Sequence, residues 1–163
     1  MTSLEQHRHH PRTFQENRFV YPVLSRRSHG LSVGINLNPD KICNFDCIYC
    51  QVDRTVPGPG RDVDMDRLES ELDAVLRYVA DGTLWDRPPF DSTAESLRVV
   101  RDLSFAGDGE PTAFSGFAEA IRRAIRVRDA HDLQHVPIHL LTNATLLHRP
   151  AVQEGLALLD AAG

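Results

Sequence analysis

Residues 31–51 read LSVGINLNPDKICNFDCIYCQ, and they hold both the first clear strand pattern and all three cysteines of the chain. Leu31, Val33, Ile35 and Leu37 alternate with Ser32, Gly34, Asn36 and Asn38, the period of two expected of a strand with one apolar and one small, polar face. Directly behind it stand Cys43, Cys47 and Cys50, spaced Cys-x3-Cys-x2-Cys. Three cysteines scattered at random over this length give that spacing roughly 2 times in 10,000, so chance is not a serious explanation. An odd number does not make a disulfide framework. A closed zinc site takes four ligands, usually in two pairs; there is no fourth cysteine, and His29 is only a stretched substitute. A buried apolar role is poorer still, because Asn44, Asp46 and Gln51 are interleaved with the thiols. Thiolates also hold iron–sulfur clusters, and a cubane on three cysteines leaves one iron without a protein ligand.

Downstream of this stretch the pattern alternates. Met65, Leu68, Leu72, Val75, Leu76 and Val79 recur at helical spacing between Asp64 and Gly82. VVRDLSFAG (99–107) reads as a second strand, and Phe117, Ile121, Ala124 and Ile125 form the stripe of a second helix. PIHLLT (137–142) reads as a third strand, and Pro150 opens a third helix through about Asp160. Strands alternating with helices imply an α/β fold with parallel pairing and right-handed crossovers. Three such units are the first half of a partial (βα) barrel, since eight units take ~250 residues. The expected organisation is a mobile lead-in over 1–18, containing His7, His9 and His10, and a core domain over 19–163 that looks cut short. In that incomplete sheet Ser32, Gly34, Asn36 and Ser104 are expected to lack a facing wall, leaving the site open to water.

With 163 residues there is room for one core, and a balance of 18 basic against 23 acidic side chains, net −5, excludes a generally basic nucleic-acid binder. No apolar run approaches the 18 or more residues of a membrane span, and no hydrophobic region follows the basic N-terminus, so a cytoplasmic protein without membrane association is expected. Other residues receive plain readings. Arg26 and Arg27 are solvated surface; the spacing of His131, His135 and His139 is accidental because Pro137 interrupts it; and RRAIRVR (122–128) is a solvent face opposite Ile121 and Ile125. Trp85, among Asp86, Pro88 and Pro89, is undecided between capping the sheet and marking a loop.

The cysteine triple after the first strand, with Tyr49 as the aromatic just before the last cysteine, resembles the radical S-adenosylmethionine superfamily. LSFAGDGEPT (103–112) is similar to its Gly-Gly-Glu-Pro turn and LLTNATLL (140–147) to its Thr-Asn-Gly strand end, with Ala144 in place of glycine. The resemblance spans about Arg26 to Leu147 and lies nearest a branch related to wyosine-base-forming tRNA enzymes. It implies that Cys43, Cys47 and Cys50 ligate a [4Fe-4S] cluster. It also implies that Tyr49, Gly107, Asp108, Gly109, Glu110 and Asn143 belong to the S-adenosylmethionine site, with Gly109 and Glu110 meeting the methionine ammonium. The implied activity is reductive cleavage to a 5'-deoxyadenosyl radical, with a flavodoxin- or ferredoxin-like electron donor and tRNA as a conceivable substrate. The rival reading is a non-catalytic iron–sulfur or zinc module for binding or electron transfer.

Overall fold

A computed structural model describes residues 14–163, so His7, His9 and His10 lie outside the described residues. Within the stretch read as a lead-in, Phe14 is buried edge-to-face against Tyr78 and Phe90. The chain then forms β1 (Val20–Ser25), β2 (Gly30–Ile35), α1 (Met65–Ala80), β3 (Val100–Phe105), α2 (Phe117–Ala130), β4 (Ile138–Leu140) and α3 (Pro150–Ala162). The four strands lie in sequence order in one sheet. β2, β3 and β4 are parallel, as the alternation demands, with Ser32 opposite Asp102 and Ser104 opposite His139.

β1 is the element that the sequence pattern did not announce, and it corrects the expectation of a purely parallel sheet. VYPVLS carries Pro22, which argues against a central strand, and β1 is accordingly an edge strand, paired antiparallel to β2 from Val20↔Ile35 to Ser25↔Gly30. Arg26 and Arg27 are exposed in the connecting turn, as expected. β1 also corrects the picture of an unwalled face. The Tyr21 ring lies across Gly34, where a Cβ would stand within 2.6–2.7 Å of its edge carbons, and the Tyr21 hydroxyl donates to Ala106 O at 3.0 Å. Gly34, Asn36 and Ser104 are buried and Ser32 is half-buried.

The apolar stripes settle how the helices pack. Asp64 caps α1, its carboxylate accepting from the backbone of Asp66 and Arg67, both at 3.0 Å. Leu68, Leu72, Val75 and Leu76 are thereby aimed into the core with Leu31, Val33, Ile35 and Leu103. Burying each such side chain stabilises the fold by about 1.5–3 kcal/mol. Phe117 of α2 meets Phe105 edge-to-face at 6.2 Å. One polar group sits in this stripe. Glu71 is buried and accepts from the backbone N–H of Arg18 (2.9 Å), Phe19 (2.7 Å) and Val20 (3.1 Å) and from Arg67 Nε (2.8 Å), so a helix carboxylate fixes the entry of β1.

RRAIRVR is less uniformly a solvent face than its charge implies. Arg123 pairs with Asp66 (2.6 Å) and Glu69 (3.0 Å), and Arg126 with Glu69 (2.7 Å), all on α1. Arg128 is buried and donates to Val136 O and to the α3 terminus at Ala162 O. Trp85 is also settled: it is buried in a single 3-10 turn, edge-to-face with Phe90. His131 ends α2 and His139 lies on β4, which confirms that their spacing has no helical meaning.

A pH effect arises at the same helix pair. His131 Nε2 lies 2.9 Å from Asp73 Oδ1, and this contact, followed by Arg77, holds the Asp73 carboxyl below its ordinary value. A carboxyl lowered in the folded state contributes stability that is present above its unfolded pKa and is lost as pH falls through the folded one. Because Asp73 is 43% exposed, solvent screening keeps its contribution under about 1 kcal/mol. Asp73→Asn is expected to flatten the stability–pH curve below about pH 4, as read by urea denaturation across that range.

Candidate metal centre

Parallel strands place their carboxyl ends on one side, so the loops leaving β2, β3 and β4 become neighbours despite wide sequence separation. Side-chain amides then tie them together. Asn36, just past β2, donates through Nδ2 to Asp108 Oδ2 at 2.7 Å, while its Oδ1 accepts from Asp108 N at 3.1 Å and Asn38 N at 3.0 Å. Asn44, between Cys43 and Cys47, accepts from Asn143 Nδ2 at 3.0 Å and donates to Thr145 Oγ1 at 2.8 Å. Arg54 donates to Asp108 O (3.0 Å) and to Lys41 O, with Nη2 3.5 Å from Cys50 Sγ. The cysteine loop, the GDGEP turn and the TNAT turn thus form one edge.

Close approach at this edge requires glycine. A Cβ on Gly109 would fall on Ile42 O and within 2.7–2.8 Å of the Asn38 side chain. Gly109→Ala is therefore expected to push the cysteine loop off the β3 turn and destabilise the chain by about 1–3 kcal/mol. Thermal unfolding, together with hydrogen exchange over residues 36–50, checks it; an unchanged loop would mean that the contact is soft.

Glu110 is buried, and its carboxylate is met by four donors. Oε1 accepts from Thr112 N (3.1 Å), Thr112 Oγ1 (2.5 Å) and Thr142 Oγ1 (2.6 Å), and Oε2 from Asn143 N at 2.8 Å. It therefore joins the end of β3 to the end of β4 and positions Asn143 beside Asn44. Ala144 follows with φ 63°, the left-handed conformation that glycine adopts without strain. Gly107, Asp108 and Gly109 are half-buried in the same turn.

The thiols themselves are loosely held. Cys43 and Cys47 are half-buried and Cys50 is exposed; none is in a disulfide. Residues 42–50 have no helix or strand, and the Cys50 N–H to Cys47 O bond at 2.9 Å makes a turn between the last two. Tyr49 is 80% exposed, and its hydroxyl is raised above its ordinary pKa by hydrogen bonding to Cys47, then by that group's charge. Ile42, Phe45 and Ile48 are also exposed, so apolar surface surrounds the thiols. Among the described residues no three His, Cys, Asp or Glu side chains converge to hold a metal ion. The donor set nonetheless fits an iron–sulfur cluster in kind and number: three soft thiols, none in a disulfide, on one loop without regular secondary structure that can bring them together.

Asn36, Asn44, Arg54 and Thr142 were missed by the sequence reading. Asn36 and Asn44 do carry a signal, as amides flanking or interrupting the motif where apolar residues would otherwise continue. Arg54 and Thr142 carry none, because their partners are backbone or carboxylate atoms brought near only by the fold.

The comparisons agree with this architecture. A UPF0026 protein of Methanocaldococcus jannaschii is 30% identical over 144 residues, covering 85% of this chain and 37% of its own length. A UPF0026 protein of Helicobacter pylori is 30% identical over 140 residues, with 85% and 39% covered. A protein named GTPase Obg of Brachyspira hyodysenteriae is 26% identical over 142 residues, with 85% and 17% covered. The chain thus spans less than half the length of these relatives. No solved structure matches it significantly. The sequence profile of the Radical SAM superfamily matches residues 37–163, the span that carries the cysteine loop, the GDGEP and TNAT turns and the helices α1 to α3. The chain therefore belongs to the radical SAM superfamily.

Proposed function

We propose that this chain is the cofactor-holding part of an enzyme that uses S-adenosylmethionine as a radical source. The observation that supports it best is the bridge through Asn44, which fastens the three-cysteine loop to the turn carrying Asn143 and, through Glu110, to the turn carrying Gly107, Asp108 and Gly109. Cys43, Cys47 and Cys50 would hold a [4Fe-4S] cluster. When bound, that cluster supplies the electron that cleaves the sulfonium to methionine and a 5'-deoxyadenosyl radical.

The remaining work falls to the chain's own groups. Glu110 orients Asn143 by accepting its N–H, and the carboxylate charge of Asp108 and Glu110 beside Gly109 suits the methionine ammonium. Asn36 fixes the peptide of Asp108, so that the turn is rigid before ligand arrives. Tyr49, Phe45 and Ile48 supply apolar surface around the reacting region, which a reactive species needs to avoid water. The electron would come from a flavodoxin- or ferredoxin-like donor. Cysteines outside any disulfide fit a reducing compartment, the cytoplasm. No helix among the described residues is long and apolar enough to cross a membrane. tRNA is the substrate to which the branch resemblance leads, and it is the first to offer in a turnover assay. The test is anaerobic reconstitution followed by measurement of 5'-deoxyadenosine under dithionite; a cluster that binds no S-adenosylmethionine in the chain or in its longer relatives ends this reading.

A further inference from the structure

A buried carboxylate stands on the sheet face opposite the helices. Leu103 and Phe105 of β3 pack beneath α2, so the alternation of the strand sends Asp102 and Ser104 to the other face, where Ser32 of β2 lies directly across from Asp102. Asp102 is 5% exposed and Ser104 8%, while Ser32 is half-buried and so the most accessible of the three. Asp102 Oδ1 accepts from Ser32 Oγ at 2.5 Å and from Ser104 Oγ at 2.7 Å. Asp102 forms no ion pair among the described residues.

A link between two strands needs one acceptor and no charge, and asparagine would serve. A carboxylate withdrawn from water without a cation is unfavourable unless something arrives to pair with it. The hydroxyl protons of Ser32 and Ser104 are both committed to Oδ1, which leaves lone pairs on each serine oxygen. Ser32 Oγ, Ser104 Oγ and Asp102 Oδ2 are therefore three acceptors with a negative charge and no donor among them. The group that satisfies such a set is positively charged and carries three N–H bonds.

We propose that Ser32, Asp102 and Ser104 bind a primary ammonium group of the substrate. The proposal rests on the reading of this chain as part of a radical enzyme, because it names what that enzyme holds. Ser104 precedes Gly107 by three residues, about 10 Å along an extended strand. The ammonium would thus be anchored about that far from the turn proposed to hold S-adenosylmethionine.

The test uses the labelled chain without cluster, so that it can fail independently of the cofactor reading. The Asp102 carboxyl carbon and the Ser32 and Ser104 amides are followed by NMR during titration with n-butylammonium, with tetramethylammonium, n-butanol and potassium chloride as comparisons. A saturable shift with n-butylammonium alone is expected, weakened at least tenfold in Asp102→Asn. Should that variant not fold, Ser32→Ala combined with Ser104→Ala removes two of the three acceptors and carries the same expectation. No response, or an equal one to tetramethylammonium or n-butanol, overturns the proposal; saturation by potassium at the same concentration reassigns the site to an alkali cation and overturns it too.

Discussion

Reconstituted Cys47→Ala is expected to hold well under one iron per chain, against about four in the unaltered protein, and to release no 5'-deoxyadenosine. The physical ground is the ligand count. Three thiols already leave one iron to exogenous ligands, and the loop offers no replacement: Asp46 and Asn44 are hard oxygen donors, and Asn44 is engaged by Asn143 and Thr145. Cys43→Ala and Cys50→Ala should behave alike, since no other cysteine exists in the chain. Iron and sulfide analysis with Mössbauer spectroscopy reads the outcome. An intact cubane in Cys47→Ala would remove these cysteines from the ligand set and favour a different metal role for the loop. Asn44→Ala separates holding from positioning: it should keep the iron content near that of the unaltered chain while weakening S-adenosylmethionine binding, because only the tie to the TNAT turn is lost.

The second large effect is on folding. Glu71→Ala strands the backbone N–H groups of Arg18, Phe19 and Val20 and releases Arg67, at a cost on the order of 3–5 kcal/mol. Glu71→Gln should lose less, since it keeps one acceptor oxygen but turns an N–H donor toward backbone donors. Equilibrium urea denaturation measures both, and a loss below about 1 kcal/mol would show that β1 is held by its pairing with β2 alone. The consequence reaches the metal edge. β1 carries Tyr21, whose ring covers Gly34 and whose hydroxyl holds Ala106 O, directly before the GDGEP turn. Detaching β1 should therefore raise hydrogen exchange at Gly107–Glu110 as well as at β1, and exchange confined to β1 would refute that coupling.

Two kinds of information separate at this point. The period-two run from Leu31, the helical stripes of α1 and α2, the Pro150 start of α3 and the cysteine spacing are local patterns, and each was legible because a repeat of 2 or 3.6 residues is written in consecutive side chains. Parallel order, and with it the nearness of the cysteine loop to the GDGEP turn, followed from that alternation. Three things did not follow. β1 was hidden because Pro22 interrupts its pattern and its stability comes from Glu71, fifty-one residues beyond Val20 in sequence. Arg128 read as one more surface charge on a basic helix, whereas its environment is set by Val136 and the α3 terminus. Asp102 lies in VVRDLSFAG, legible only as a strand, and its register against Ser32 and the burial of that face show a carboxylate with no cation paired to it among the described residues. Local propensity determines which elements form. The partners of buried polar groups depend on atoms far apart in the chain, and tertiary packing alone decides which of them meet.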